Sequence, residues 1–298
     1  MEFRVLEYFL AVTREQSILG AAESLHLTQP TLSRQLTALE QELGKQLFIR
    51  GNRKITLTEE GMLLRKRAEE ILELVRKTED EISLTSERIA GDIHIGAGES
   101  DGLRTLIKAA REIREAYPEV HFHIVSGDKV TVLEALDRGL LDFGMVFGSV
   151  DASRYAFLKI PYSERYGVLM PREDPLSEKA QINAEDLFGK PLIIPRQLCA
   201  DGELHEVLRC DPDKLDIVAS YNLLFNGSLM VEEGMGYAIG LDKIIHTTGD
   251  SRLCFRPLSV PFSVEMCVVW KKYQILSRAA ELFLRRLREA QSAANERS

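Results

Sequence analysis

The stretch LTQPTLSRQLTALEQELG, residues 27–44, decides how the amino-terminal part of the chain folds. Leu32, Leu36, Leu39 and Leu43 recur at spacings of four and three, which places them on one helical face. Thr28 stands where a cap belongs, Pro30 falls in the first turn where its missing N–H costs nothing, and Gly44 stops the helix. Gln29, Thr31, Ser33 and Arg34 lie off the leucine face and crowd the helix start. A helix used only for packing has no reason to gather them there.

The flanking residues supply the reason. Upstream, Val5, Leu6, Phe9, Leu10 and Val12 predict a first helix. Ser17 can cap a second helix through ILGAAESLHL, in which Ala21, Ala22 and Leu25 form a small, close-packing face. Few residues separate the second and third helices, so they cross steeply as a helix-turn-helix. The second helix of that motif presents its N-terminal residues to the major groove. Gln can pair bidentately with adenine and Arg with guanine, while Ser and Thr serve base or phosphate. Downstream, LFIRGNRKITLT reads as a short strand, a Gly-Asn turn and an alternating strand with Ile55 and Leu57. A hairpin carrying Arg50, Arg53 and Lys54 is a wing suited to phosphates or the minor groove. The competing reading is a three-helix interaction module with a solvated basic hairpin.

Charge agrees with local DNA contact. The 298-residue chain carries a net charge of −8, which argues against nonspecific coating of nucleic acid or membrane. Residues 28–54 nevertheless hold five basic side chains against two acidic ones, whereas residues 91–298 hold 25 against 31. The length suggests two or three domains. No apolar run reaches the roughly 18 residues of a membrane span. The amphipathic start MEFRVLEYFLAVTREQS is unlike a signal peptide, so the expected location is the cytoplasm.

The segment AAESLHLTQPTLSRQLTALEQELGKQLFIRGNRKITLTEEG, residues 21–61, resembles the winged helix-turn-helix of the LysR-type transcriptional regulators. The matching features are the Ala-Ala pair, QPTLSRQ, LE-x-x-LG-x-x-LF-x-R and LT-x-x-G. The resemblance implies that Gln29, Pro30, Thr31, Ser33 and Arg34 meet the major groove and that Arg50 and Arg53 serve the wing. With Ser17, Thr28 and Lys54 added, these make the expected DNA-binding set. Gln16 stands where a glycine is common in the family.

Thr58 caps the next segment, and Glu59 and Glu60 suit its N-terminal dipole. Leu64, Ala68, Ile71, Val75, Thr78, Ile82, Thr85 and Ile89 then step by four and three as a heptad seam. The expected helix is a coiled-coil linker that pairs two protomers, with Leu64, Ala68, Ile71, Val75 and Ile82 as its contacts. The alternative is a long helix packed on its own domain. Gly91 marks the boundary that follows.

From residue 92 strands and helices alternate: DIHIGA, LRTLIKAAREIREAYP, VHFHIVSG, VTVLEALDRG and LDFGMVFG. After FLKIPYSERYGVLMP a second set follows, with PLIIP, a helix near 201–209, LDIVASYN, a helix through SLMVEEG, YAIG, VEMCVVWKK and a helix from Ser277. Two α/β units predict two lobes with a cleft, and ligands bind at the C-terminal ends of such strands. The candidate effector residues therefore sit in strand-end loops: Gly98, Glu99, Ser100, Asp101, Phe147, Gly148, Pro195, Arg196, Asn222, Phe225 and Ser228. Helix N-termini there suit an anion, whereas Glu99 and Asp101 oppose one, so a zwitterion, an amine and a polar neutral ligand stay open.

DFGMVFG, DPLSEKAQINAEDLFGKPLIIP and MVEEGMGYAIGL are similar to the family's effector domain, which is like the type 2 periplasmic binding proteins. That resemblance implies a small-molecule inducer in the cleft. GLD near 240, where LLP is usual, and the loop AGESDG depart from the family and leave the ligand's identity open.

An enzyme reading finds no Gly-rich phosphate loop, no nucleophile elbow and no metal spacing beyond His121 and His123, which lack a third ligand. A periplasmic solute receptor would leave the front of the chain unexplained. A peroxide sensor would use Cys199 and Cys210, but ADGELHEVLR between them is unlike the sensing segment of such family members, and the default for all four cysteines is a reduced thiol.

The expected protein is thus an α/β regulator in three parts. Residues 1–58 form the winged helix-turn-helix, 59–90 the linker helix, and 91–298 an effector domain with lobe I at about 91–161 and 268–298 and lobe II at about 162–267. It is not an enzyme and uses no metal or cofactor beyond a small-molecule effector. Its partners are double-stranded DNA with dyad-symmetric promoter sites and further copies of itself, as a dimer or a tetramer. RNA polymerase is left open.

Overall fold

A computed structural model describes residues 1–51, 54–83, 89–200, 204–260 and 263–295. The chain divides into two compact units, Met1–Thr85 and Ser86–Ser298.

The first unit contains α1 (Phe3–Glu15), α2 (Ile18–Ser24), α3 (Gln29–Leu43), β1 (Phe48–Arg50), β2 (Ile55–Leu57) and α4 (Glu59–Ser83). Val5, Leu6, Phe9 and Val12 of α1, the Ala21–Ala22 pair, and Leu32, Leu36 and Leu39 of α3 form one core with Leu47 and Phe48. Small residues on α2 let the helices approach closely, and the Phe9 and Phe48 rings meet 5.2 Å apart. Leu43, expected in the buried stripe, is instead 41% exposed on the last turn, beyond the reach of this core.

Ser17 caps α2 as expected, accepting a hydrogen bond from the Gly20 amide at 3.2 Å. Thr28 occupies the cap position of α3 without a capping bond; its hydroxyl lies 2.8 Å from that of Thr31. Gln16 adopts a left-handed φ of 52°, a conformation glycine reaches more cheaply, which explains what a glycine would do there. Its carbonyl accepts from Ile55 at 2.9 Å and so ties the turn after α1 to the hairpin. The hairpin pairs Phe48 with Leu57 and Arg50 with Ile55. Glu40 holds it on α3 by accepting from the Leu47 and Phe48 amides at 2.7 and 3.3 Å.

Thr58 caps α4, its hydroxyl accepting from Gly61 at 3.0 Å and donating to the Gln46 carbonyl at 2.7 Å. Gly61 is required at this contact, because a Cβ there would lie 2.2 Å from the Leu47 oxygen.

The linker expectation needs correction. Ala68 is fully buried in the core of the first unit, and Leu64 and Ile71 pack against that core, so this part of the seam faces its own domain. The half-buried Val75 and the 80% exposed Ile82 lie beyond that packing. The described helix ends at Ser83, Thr85 lies outside the described residues, and Ile89 packs on the core of the second unit.

The second unit contains β3 (Gly91–Ala97), α5 (Leu103–Ala116), β4 (Val120–Ser126), α6 (Lys129–Asp137), β5 (Phe143–Phe147) and β6 (Tyr155–Pro171). It continues with β7 (Pro191–Pro195), α7 (Arg196–Ala200), α8 (Leu204–Leu208), β8 (Asp216–Tyr221), α9 (Leu224–Glu232), β9 (Tyr237–Leu241), β10 (Leu253–Pro257), β11 (Ser263–Lys271) and α10 (Arg278–Asn295). Among the described residues the strand order is β4-β3-β5-β11-β6-β9-β7-β8, with β10 on β6. Strands β4, β3 and β5 are parallel, as are β8, β7 and β9.

The segment FLKIPYSERYGVLMP, residues 157–171, which separates the two sets in the sequence, lies within one long strand, β6, that serves both lobes. Its first part pairs with β11, and its last part with β9 and β10. Pro161 has no N–H to give the ladder, and the register breaks there: Ile160 faces Met266, whereas Ser163 faces Glu265. Lobe I packs α5 and α10 on one face of β3, β4 and β5 through Ile93, Ile95, Phe143 and Phe283. Lobe II is built on Val168, Leu192, Ile194 and Ile239.

Candidate functional site

The DNA-facing candidates sit where α3 begins. With Leu32 and Leu36 buried, Thr28, Gln29, Pro30 and Arg34 are exposed and Thr31 and Ser33 half-buried on the opposite side. Arg34 donates from Nε to the Pro30 carbonyl at 3.3 Å, which keeps the guanidinium near the helix start. Lys54 is exposed on the hairpin. The Arg50 backbone belongs to β1, but its side chain and the whole of Arg53 lie outside the described residues. Ser17 accepts the cap bond with its hydroxyl oxygen and keeps its proton to donate.

The second site is a cavity between the lobes of the second unit, with about 620 Å³ of empty space that includes its opening to solvent. Of the expected residues, Gly98, Glu99, Phe147, Pro195 and Asn222 line it. The other six are engaged elsewhere or point away. Ser100 donates to the buried Glu164 and Asp101 pairs with Arg104 at 2.5 Å. Ser228 donates to the Phe225 carbonyl at 2.7 Å, while Gly148 and the 59% exposed Phe225 are not part of the wall. Arg196 reaches across from lobe II to the Asp128 carboxylate.

Sequence reasoning missed Gly127, Asp128 and Lys129, although the SGDK loop follows a strand and opens a helix, the same signal that exposed AGESDG. Tyr166, Tyr221, Leu241 and Ile244 also line it, with Met145, Val146, Gln197 and Leu224, brought there by tertiary packing.

Two carboxylates shape the electrostatics. Asp128 caps α6 by accepting from the Thr131 amide at 3.0 Å and its hydroxyl at 2.6 Å. Burial works to raise this carboxyl, but those bonds and the Arg196 guanidinium outweigh it and hold it below the usual range. Glu164 goes the other way. Burial raises it despite bonds from Ser100 and from the Gly102 amide at 3.3 Å, and its Oε2 is buried without a hydrogen-bond partner.

His121 and His123 acquire a neighbour the sequence did not reveal. Asp92 lies 3.7 and 3.2 Å from them, and His123 stacks on His94 at 4.7 Å. Among the described residues, no group of His, Cys, Asp and Glu could hold a metal ion. Burial pushes the Cys210, Cys254 and Cys267 thiols up, which disfavours the reactive thiolate a redox sensor needs; the Cys199 side chain lies outside the described residues. Among the described residues no helix is long and apolar enough to cross a membrane.

A helix-turn-helix with an exposed polar first turn, in one chain with a two-lobed α/β unit built around a cavity, defines a ligand-responsive DNA-binding regulator. Comparison with known proteins sharpens this. Residues 3–62 match the bacterial regulatory helix-turn-helix protein, lysR family, and residues 86–292 match the LysR substrate binding domain. The chain belongs to the LysR family of transcriptional regulators. It is 33% identical over 215 residues to the HTH-type transcriptional regulator BsdA of Bacillus subtilis (strain 168), covering 70% of this chain and 71% of that one. It is 31% identical over 195 residues to the DNA-binding transcriptional dual regulator OxyR of Escherichia coli (strain K12), covering 65% and 63%. The crystal structure of full-length CbnR complexed with its target DNA has the same fold, with a TM-score of 0.74 at 20% identity over 97% of this chain and 100% of that one. The protein is therefore a DNA-binding transcriptional regulator of LysR type with a substrate-binding effector domain.

Proposed function

We propose that Gln29, Thr31, Ser33 and Arg34 read base edges in the major groove, with Thr28 and Pro30 setting the helix start and Arg50, Arg53 and Lys54 gripping the backbone as a wing. The observation that carries this reading is the division of α3 into a leucine face inside the core and an exposed polar first turn. Residues 1–58 act as the reading head, 59–90 as the linker and 91–298 as the responding domain. Two protomers associate through the outer part of α4, around Val75 and Ile82, so the target is a dyad-symmetric site. Pairing of dimers into tetramers and contact with RNA polymerase belong to the same reading, as do a cytoplasmic location and the lack of a catalytic role. The cavity is the effector site, and the effector acts by binding two lobe arrangements with different affinity.

The test is selection of sheared genomic DNA on the full chain at physiological salt, followed by sequencing. Enrichment of a few dyad-containing intergenic regions is the expected result. Uniform recovery along the genome would remove the base-reading assignment.

A further inference from the structure

Two charged contacts between the lobes belong to the wall of the cavity or touch it. Glu99, in the loop after β3 of lobe I, accepts through Oε2 from the Leu224 amide and, at 3.4 Å, from the Phe225 amide, at the start of α9 in lobe II. Asp128 of lobe I, only 8% exposed, takes the Arg196 guanidinium of lobe II. The amides that would welcome an anion at α9 therefore already hold a carboxylate, and the nearest guanidinium is neutralised. The wall carries the carboxylates of Glu99 and Asp128 against one ammonium, Lys129. Its remaining surface is largely apolar, with Met145, Phe147, Leu224, Leu241 and Ile244, and adds the amide side chains of Gln197 and Asn222.

Resting on the reading of this cavity as the effector site, we propose that Glu99 is its specificity-determining residue. Its carboxylate fills the anion position at α9, so the pocket takes a small ligand with an apolar body and a hydrogen-bond-donating amine or amide head, and turns carboxylates away. Glu99 Oε1, which has no partner among the described residues, is the acceptor for that head, with Gln197 and Asn222 as further partners. A carboxylate ligand must either displace Glu99 from two amides or sit beside it, and like charges in a partly desolvated site repel. Ser100 and Glu164 position the loop, since Ser100 donates to Glu164 while Gly102 binds both.

The experiment uses the full chain and three probes that share a ring and differ in head group: benzylamine, benzamide and benzoate. Binding is followed by ligand-observed NMR titration on the wild type, on Glu99→Ala and on Asn222→Trp, whose indole at an exposed wall position obstructs the cavity. The wild type is expected to bind benzylamine or benzamide at least tenfold tighter than benzoate. Glu99→Ala is expected to reverse that order, because α9 then offers its amides to benzoate. A wild type that prefers benzoate, or an unchanged order in Glu99→Ala, overturns the proposal while leaving the cavity reading intact. Binding of the probes that Asn222→Trp leaves untouched, or no binding of any probe to the wild type or Glu99→Ala, overturns the cavity reading and the proposal with it. Glu99→Gln serves where the alanine variant fails to fold; its neutral amide removes the charge but keeps an acceptor for the α9 amides, so the preference against benzoate is expected to shrink without reversing, and an undiminished preference overturns the proposal.

Discussion

Replacing Arg34 by alanine gives the most direct measure of how α3 reads DNA. The side chain is exposed, and its one described bond, to the Pro30 carbonyl, is a weak 3.3 Å contact that engages Nε and not the guanidinium's terminal nitrogens. A bidentate Arg–guanine pair contributes about 1–3 kcal/mol of discrimination. At about 1.4 kcal/mol per tenfold, Arg34→Ala should weaken binding to the selected site roughly 5- to 150-fold. The loss should be confined to one G·C pair per half-site. Fluorescence anisotropy on the selected duplex, and on duplexes with each G·C pair inverted in turn, reads this directly. Wild-type protein should lose affinity when the contacted pair is inverted, whereas Arg34→Ala should be indifferent there and unchanged in its preferences elsewhere. Arg34→Lys is the control for charge, because an ammonium keeps the positive charge but not the planar fork, and it should lose nearly the same discrimination. A uniform loss across all duplexes, with the salt slope reduced by about one, would instead make Arg34 a phosphate contact and refute its base-reading role.

Three further outcomes follow from the geometry. Gly61→Ala puts a Cβ 2.2 Å from the Leu47 oxygen and should cost about 1–3 kcal/mol, seen as earlier melting of the first unit; an unchanged melt would show that α4 shifts freely on the wing. Ile82→Asp places a charge at the exposed end of the seam and should move the full chain toward a lighter species in light scattering, while an unaltered mass would locate self-association elsewhere. Glu164 is raised above its ordinary 4.5 by burial, so the folded state holds this proton more tightly than the unfolded chain. Stability should therefore fall as pH rises from about 4.5 toward the folded value, and Glu164→Gln should flatten that slope in denaturant titrations; an identical slope would mean that Glu164 ionises as it would in water.

The reading head and the cavity differ in how far the sequence alone could take them. Leucines at spacings of three and four, Ser17 at a cap, Pro30 in a first turn and Gly44 at a stop act within a few residues of themselves, so helix positions and the exposed polar turn of α3 were determined by local physics. The alternation of strands and helices after residue 92 was legible for the same reason, since a period of two or 3.6 needs no distant partner. Tertiary structure decided everything that depends on residues far apart in the chain. It turned Leu64, Ala68 and Ile71 toward α1, because an apolar seam buries against whichever apolar face reaches it first. It made residues 155–171 one strand through two lobes, broken at Pro161 where the ladder lacks a donor. It took Ser100, Asp101 and Arg196 out of the ligand's reach by giving each a closer partner. It also brought Glu99 to the amides of α9, a contact across 125 residues that no local pattern encodes, because charge complementarity between lobes exists only once both have folded.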